Sequence, residues 1–293
     1  MNRGYLYLAI TILIFGPFEV ISKFVHGIDA IQLNFLRFLI GGMALLPFAG
    51  IEIRKRKRKI KIGDLAHMVA LSVLYIPVSM VFLQVAIQNT SASLSTFVFS
   101  ANPIFIAVFA AWILHERPNA FIVAAIALEV VGLLFIANPF NERFDFYFFH
   151  LCLAAIVFAF YNVLMRKATS RLGNLVAFTL VVIFGTTALG LFLLAAGIPW
   201  FHGVSMSNAL PLLYLGIFGS GIAFVCYYKG MELTSTNVGS IVFFLKPILG
   251  TIYAVITLNE KLSPGFIIGA LLILAGSTVM IYGNERNRSA VSK

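Results

Sequence analysis

Four ionisable side chains stand inside long apolar runs of this sequence: Glu19, Arg37, Glu129 and Lys246. An ionised group in hydrocarbon costs ~3 kcal/mol or more, so each must face protein or a water-filled cavity. Each is therefore a candidate for binding or moving charge. Lys246 lies near the middle of the run from Thr236 to Leu258, directly before Pro247. It shares a helical face with Gly239, Phe243, Gly250 and Tyr253, at spacings of three, four or seven residues. The glycines leave room and the aromatic rings wall a small organic group. The ammonium is thus placed to hold a substrate carboxylate, or to change charge during a cycle. Its alternative role is a tether to backbone carbonyls freed beside the proline, which has no N–H and is expected to break the helix there.

The other ionisable groups divide in the same way. Glu19 precedes Lys23 by four residues, the acid-first order that suits an intrahelical ion pair. Otherwise it carries a proton or binds a substrate amine. Arg37 is deep enough to line a cavity, and shallow enough to snorkel outward or pair with Asp29. Glu129 is expected to pair with an Arg or Lys of a partner helix, or to take part in coupling. Ser91, Ser95 and Asn102 fall along one face of one run, and Thr236 and Ser240 along one face of another. They line a polar path or bond back to their own helices. Glu116 and Glu260 each stand just before a new helix, where a carboxylate meets exposed N–H groups. With Pro103 and Pro247 they are read as structural or gating residues. Gly265 and Gly269 form a small-residue pair suited to helix packing.

No set of residues suggests catalysis. The five histidines are scattered, and no His/Cys/carboxylate cluster has metal-ligand spacing. A GK[ST] phosphate loop is absent, and Cys152 and Cys226 lie in apolar runs that suggest no disulfide framework. Neither enzyme activity, a cofactor nor a metal is expected.

These residues are carried by a chain too apolar for a soluble domain. Of 293 residues, 60% are hydrophobic and only 11% charged, which places the chain in the bilayer. Ten spans fit, at about 5–25, 30–50, 64–87, 91–114, 119–138, 146–166, 173–196, 208–230, 235–258 and 264–283. The N-terminal run lacks a small-x-small cleavage site and reads as an uncleaved first span. A net charge of +10 would suggest nucleic acid in a soluble protein, but here the basic residues collect in short loops. The run Arg54 to Lys59 with Lys61, the group Arg166, Lys167 and Arg171, and the tail Arg286, Arg288 and Lys293 all fall on one side. That bias puts both termini in the cytoplasm. A nucleic-acid partner is not expected, and contact of the basic loop with anionic lipid is a secondary possibility.

The chain also repeats. A shift of 144 residues pairs Pro103 with Pro247, Glu116 with Glu260, Gly132 with Gly276, and Val98-Phe99 with Val242-Phe243. A shift of 143 pairs Phe15, Phe18, Val20 and Lys23 with Phe158, Tyr161, Val163 and Arg166. Each unit holds five spans, and an odd number inverts the second unit relative to the first. Such a fold has two near-equivalent conformations around a midplane site.

On these residues the chain resembles the EamA branch of the drug/metabolite transporter superfamily. The resemblance rests on a proline inside spans four and nine and a glutamate closing each, in Leu114-His115-Glu116 and Leu258-Asn259-Glu260. A glycine follows each glutamate by sixteen residues, and the stretch Phe35-Leu36-Arg37-Phe38-Leu39 is similar to one common in the family. The first span has Phe15-Gly16 in place of the family's frequent tryptophan-glycine. Members export amino acids, drugs and other metabolites.

The expected architecture is an all-α integral membrane protein of ten transmembrane helices in two inverted five-helix repeats. The repeats are assigned to residues 1–140 and 145–284, followed by a cytoplasmic tail over 285–293. The expected function is secondary transport, exporting an amino acid or related compound across the plasma membrane (the inner membrane of a bacterium) by alternating access. Lys246, Phe243, Tyr253, Glu19, Arg37, Asn102, Ser95 and Ser240 are the expected substrate-binding residues. Glu19, Lys246 and Glu129 are the candidates for coupling, with protons among the possible ions, and facilitated diffusion is the other option. The partners are a small-molecule substrate and the lipid bilayer. The oligomeric state is open, a monomer included. A multidrug or lipophilic-cation exporter is the alternative within transport, and would need an uncompensated carboxylate. A membrane-embedded enzyme acting on lipid-linked substrates is the alternative from another class, and would need titratable residues clustered at one membrane face.

Overall fold

The computed structural model describes residues 3–56, 62–115, 120–137, 146–234 and 236–291. Among them there is no strand, and ten apolar helical segments follow one another. The first to fifth spans are Arg3–Lys23, Ala30–Arg56, Ile62–Asn89, Ala92–Ile113 and Ala120–Ala137. The sixth to tenth are Tyr147–Leu172, Asn174–Ala195, Met206–Leu233, Thr236–Leu258 and Pro264–Val291. The second, sixth and tenth helices run on past their apolar stretch, since the charged residues there are good helix formers in water.

The fifth and tenth spans occupy equivalent places in the two repeats, and they pack antiparallel. Gly283 meets Phe121 at one end of the seam, and Gly265 meets the carbonyl of Phe135 at the other. The contacts between them come in equivalent pairs. A Cβ on Gly132 would stand 2.7 Å from the Gly269 carbonyl and 2.8 Å from Ile273 Cγ1. A Cβ on Gly276 would stand 2.9 Å from the Ala125 carbonyl and 2.6 Å from Glu129 Cγ. Adding 144 to the first repeat's numbers turns one set into the other, so a twofold relates the helices. Equivalent helices running in opposite directions are what an inverted repeat requires.

The repeats differ in where the helix is interrupted. The first span breaks at Gly16-Pro17, between helices Arg3–Phe15 and Phe18–Lys23. Its counterpart, the sixth, is one continuous helix. The fourth span breaks at Ala101 and restarts at Asn102, which puts Pro103 in a first turn where a missing N–H costs little. The expected break at Pro247 is not observed, because the ninth helix runs unbroken through it. Close packing on the following turn holds that helix straight. A Cβ on Gly250 would lie 3.1 Å from both the Gly16 carbonyl and Thr96 Oγ1. The third and eighth spans each widen to a π-helical stretch, Leu74–Met80 around Pro77 and Tyr214–Ile222 around three glycines. Such stretches frequently mark functional sites.

The seam makes a first prediction. Gly132→Val and Gly276→Val each push a side chain into backbone, and should each cost about 1–3 kcal/mol, seen as a lower melting temperature of the detergent-purified protein. Gly50→Ala, at a site with nothing within 4 Å, should leave the melting temperature unchanged or slightly higher.

Candidate functional site

The break in the first span creates the site. The helix ends there at Phe15, which leaves carbonyls of its last turn without intrahelical donors, and the Tyr214 hydroxyl donates to that of Ile14 at 2.9 Å. The short second helix starts at Phe18, so Glu19 sits in a first turn, where the positive end of the helix favours a carboxylate. The ninth span packs directly on the break. A Cβ on Gly16 would lie 3.0 Å from Leu249 Cβ. One turn earlier on that helix, Lys246 Nζ donates to Glu19 Oε1 at 2.6 Å. The pair is sealed, with Glu19 1% and Lys246 7% exposed, and Nζ lies 5.7 Å from the centroid of the Phe99 ring. Glu19 therefore pairs across 227 residues, in place of the expected pairing with Lys23 four residues on.

Arg37 of the second span completes the charged cluster. It neither snorkels nor pairs with Asp29, which instead accepts from the Ile31 N–H at its helix start. Arg37 is 3% exposed, and Glu19 lies within electrostatic range of it. Its Nε and Nη2 donate to Asn34 Oδ1 at 3.1 and 2.8 Å. The guanidinium lies 4.3 Å from the centroid of the Phe38 ring and 5.0 Å from that of Phe18. Asn34 is in turn anchored by donating to the Ile76 carbonyl, inside the π-helical stretch of the third span.

An aromatic belt joins the two cations. Phe38 packs on Tyr75, Tyr75 stacks on Tyr161 at 4.7 Å and touches Phe158, and Phe158 touches Phe99 beneath Lys246. Four buried polar atoms of the first, fourth and sixth spans have no hydrogen-bond partner among the described residues: Glu19 Oε2, Tyr161 Oη, Thr96 Oγ1 and Ser100 Oγ.

The remaining expected residues divide. Asn102 is buried and donates to the carbonyl of Phe99, at the break of the fourth span. Pro103 follows it in that first turn. Ser95 bonds back to the carbonyl of Ser91 within its own helix. Phe243 packs edge-on against Tyr227 of the eighth span, and Tyr253 packs with Val20 and Ala254. The side chain of Ser240 and all of Glu116 lie outside the described residues. Glu129 is buried in the fifth–tenth seam, away from the cluster. It accepts from the Ser277 hydroxyl at 3.0 Å in place of the expected Arg or Lys. Glu260 binds N–H groups as expected, but those of another helix. It accepts from Ala92 and Ser93 at 2.7 and 3.1 Å, at the start of the fourth span. The turn that aims it is left-handed, with φ 52° at Asn259, and its repeat counterpart His115 has φ 54°.

Residue typing missed the belt itself, because Phe and Tyr are ordinary in membrane helices. It also passed over Asn162, which the 143-residue shift makes the counterpart of Glu19. Asn102 is the counterpart of Lys246 under the 144-residue shift. Each half thus contributes one charge of the pair, and the counterpart of each charge in the other half is an asparagine. Asn162 bonds back to the Phe158 carbonyl as Asn102 does to that of Phe99.

Two polar ties join the repeats at equivalent positions, one towards each end of the helices. At one end Asp64, which opens the third span, accepts from Arg171 Nη1 at 2.7 Å beside a cavity of about 340 Å³ that also meets His67. At the other, Asn208 opens the eighth span 144 residues later, accepts from the His26 N–H and donates to the His26 and Gly203 carbonyls.

Comparison with known proteins places these features in a family. The EamA-like transporter family matches twice, over residues 2–138 and 146–282, with starts 144 residues apart. An uncharacterized transporter of Clostridium kluyveri is 30% identical, over 98% of this chain and 95% of its own length. An uncharacterized inner membrane transporter of Salmonella typhimurium is 24% identical over 98% of both chains. A chloroplastic WAT1-related protein of Arabidopsis thaliana is 27% identical over 66% of this chain and 49% of its own. One solved crystal structure shares the fold with a TM-score of 0.67, at 20% identity over 97% of this chain and 98% of that one.

The buried pair makes a second prediction. Removing one partner leaves the other uncompensated, so Glu19→Gln and Lys246→Met should each cost ~3–5 kcal/mol by thermal unfolding. The double substitution should recover most of that loss. Strictly additive losses would show that the two side chains do not depend on each other.

Proposed function

The chain belongs to the EamA-like transporter family, and on that premise we propose that it is a secondary transporter exporting a small carboxylate-bearing metabolite, an amino acid or related compound. The observation that carries the substrate class is the Glu19–Lys246 pair, buried beside a helix break. A buried ion pair is costly to form, but cheap to exchange for another of the same kind. A substrate carboxylate takes the Lys246 ammonium, and a substrate ammonium takes the Glu19 carboxylate released by that step. A lipophilic-cation exporter would need a carboxylate free of a competing cation, and Glu19 is not free. Protons are the proposed coupling ion: a proton and the substrate ammonium compete for the Glu19 carboxylate, so that binding of one displaces the other. Glu129, in the seam, is assigned to repeat packing rather than to coupling.

Alternating access follows from the inverted repeats, proposed as units over residues 1–140 and 145–284 with a tail over 285–293. Each tie joins one unit to the other, at Asp64–Arg171 and at Asn208–His26, and the two ties open in turn. The protein is proposed to lie in the plasma membrane with both termini cytoplasmic, from the basic residues around Arg54, Arg166 and the tail.

Transport of radiolabelled amino acids into proteoliposomes tests the substrate role. The Glu19→Gln/Lys246→Met protein, stable but without charge, should lose more than nine-tenths of the wild-type rate. Wild-type transport by that protein would overturn the role of the pair. Orientation is tested by impermeant thiol labelling of intact cells. Cysteine at Arg54 should stay unlabelled, and cysteine at Met206, which is 92% exposed at the opposite end, should label.

A further inference from the structure

Exchange of the Glu19–Lys246 pair for a zwitterion leaves one group unused. Arg37 is as deeply buried as the pair, and its hydrogen bonds run to a neutral amide oxygen rather than a carboxylate. Among the described residues no carboxylate stands within 4.0 Å of the guanidinium, so the cluster holds two cations and one anion. An excess charge at membrane depth calls for a counter-charge, and such groups mark the path of a charged ligand.

We infer that the site takes a ligand of net charge −1, an organic acid whose carboxylate is held by Arg37 and whose body lies on the aromatic belt towards Lys246. This rests on the transport reading above and sharpens its substrate class. The guanidinium is set for the task. Nε and Nη2 share Asn34 Oδ1, which leaves the Nη1 edge of the fork to receive a carboxylate, the geometry arginine favours. Its faces are fixed by Phe18 and Phe38, so the head group is held in place before any ligand arrives. Tyr75, Phe158 and Phe99 then run from the Arg37 end to Lys246, offering ring faces to an apolar or aromatic body. The hydroxyls of Tyr161, Thr96 and Ser100, buried and without protein partners, are available to further polar atoms on the ligand. A net positive charge on the ligand is excluded, since it would face both cations with only Glu19 to meet it.

The test uses three probes that share a phenyl ring and differ in charge: 3-phenylpropionate, phenylalanine and phenethylamine. Each is added at equal millimolar concentration to the purified full-length protein, and thermal unfolding is followed. The expected order of stabilisation is anion, then zwitterion, with no effect of the cation. Arg37→Gln should weaken the anion roughly tenfold or more and leave the zwitterion first. Arg37→Lys keeps the charge and should keep the order, which separates loss of charge from loss of fold. A zwitterion-first order in the wild type, absence of stabilisation by the anion, or an anion preference that survives Arg37→Gln each overturns the inference. A zwitterion-first order would leave the transport reading standing. Stabilisation by the anion in a protein that moves nothing in proteoliposomes would sink transport and leave the charge assignment intact.

Discussion

The arrangement depends on one ion pair held away from water. Glu19 and Lys246 can be ionised at that depth because each is the other's solvent, and because the carboxylate sits in the first turn of a helix. That first turn exists only because Gly16-Pro17 ends the helix before it. Glycine contributes little helix stability and disfavours neither side of a turn, and the proline following it restricts its backbone further. The Tyr214 hydroxyl then satisfies the exposed carbonyl of Ile14. Without the break, Glu19 would lie mid-helix with no such compensation. Without the glycines at 16 and 250, the ninth span would stand too far off for Lys246 to reach it.

The repeat supplies the scaffold, and departures from it supply the chemistry. Glu19 in the first half answers to Asn162 in the second, and Lys246 in the second to Asn102 in the first, and both asparagines bond to their own helices. Glu129 answers to Ile273 in the seam, and Asp64 to Asn208 at the ends. In each case a charged residue faces an amide or an apolar counterpart. A strictly symmetric protein would have doubled the buried charge, at a cost of several kcal/mol per ion after relaxation. Keeping only one charged member of each equivalent pair of positions lets the fold keep two equivalent shapes with a single binding cluster.

This explains how much the sequence revealed. The spans, the repeat, its inversion and the four intramembrane ionisable residues were all legible, because hydropathy and rare residue types carry them. Partners were not. Local spacing pointed Glu19 to Lys23, but the helix that would align them is only six residues long and turns its acid inward. Pro247 suggested a break, yet the helix runs through it, with Gly16 and Thr96 packed against its following turn. Glu260 was readable as a helix-capping acid, whereas its target, 168 residues away, was set by how the ninth and fourth spans cross. Pairing across helices is a property of the packing, and no one-dimensional pattern encodes it.

The two ties bear on whether such a protein can cycle. Arg171 is half exposed, and a pair open to water is worth about 0–1 kcal/mol. The Asn208 amide makes neutral hydrogen bonds, each with a net value of about 0.5–1.5 kcal/mol. An ionic tie at one mouth and an amide tie at the other therefore each hold their ends by at most a few kcal/mol, although their chemistry differs. Had Asp64–Arg171 been buried like Glu19–Lys246, breaking it would leave two bare charges and lock that mouth. Exposure keeps it weak. The strong interaction is kept at the centre, where a ligand can replace it, and the weak ones at the mouths, where nothing has to.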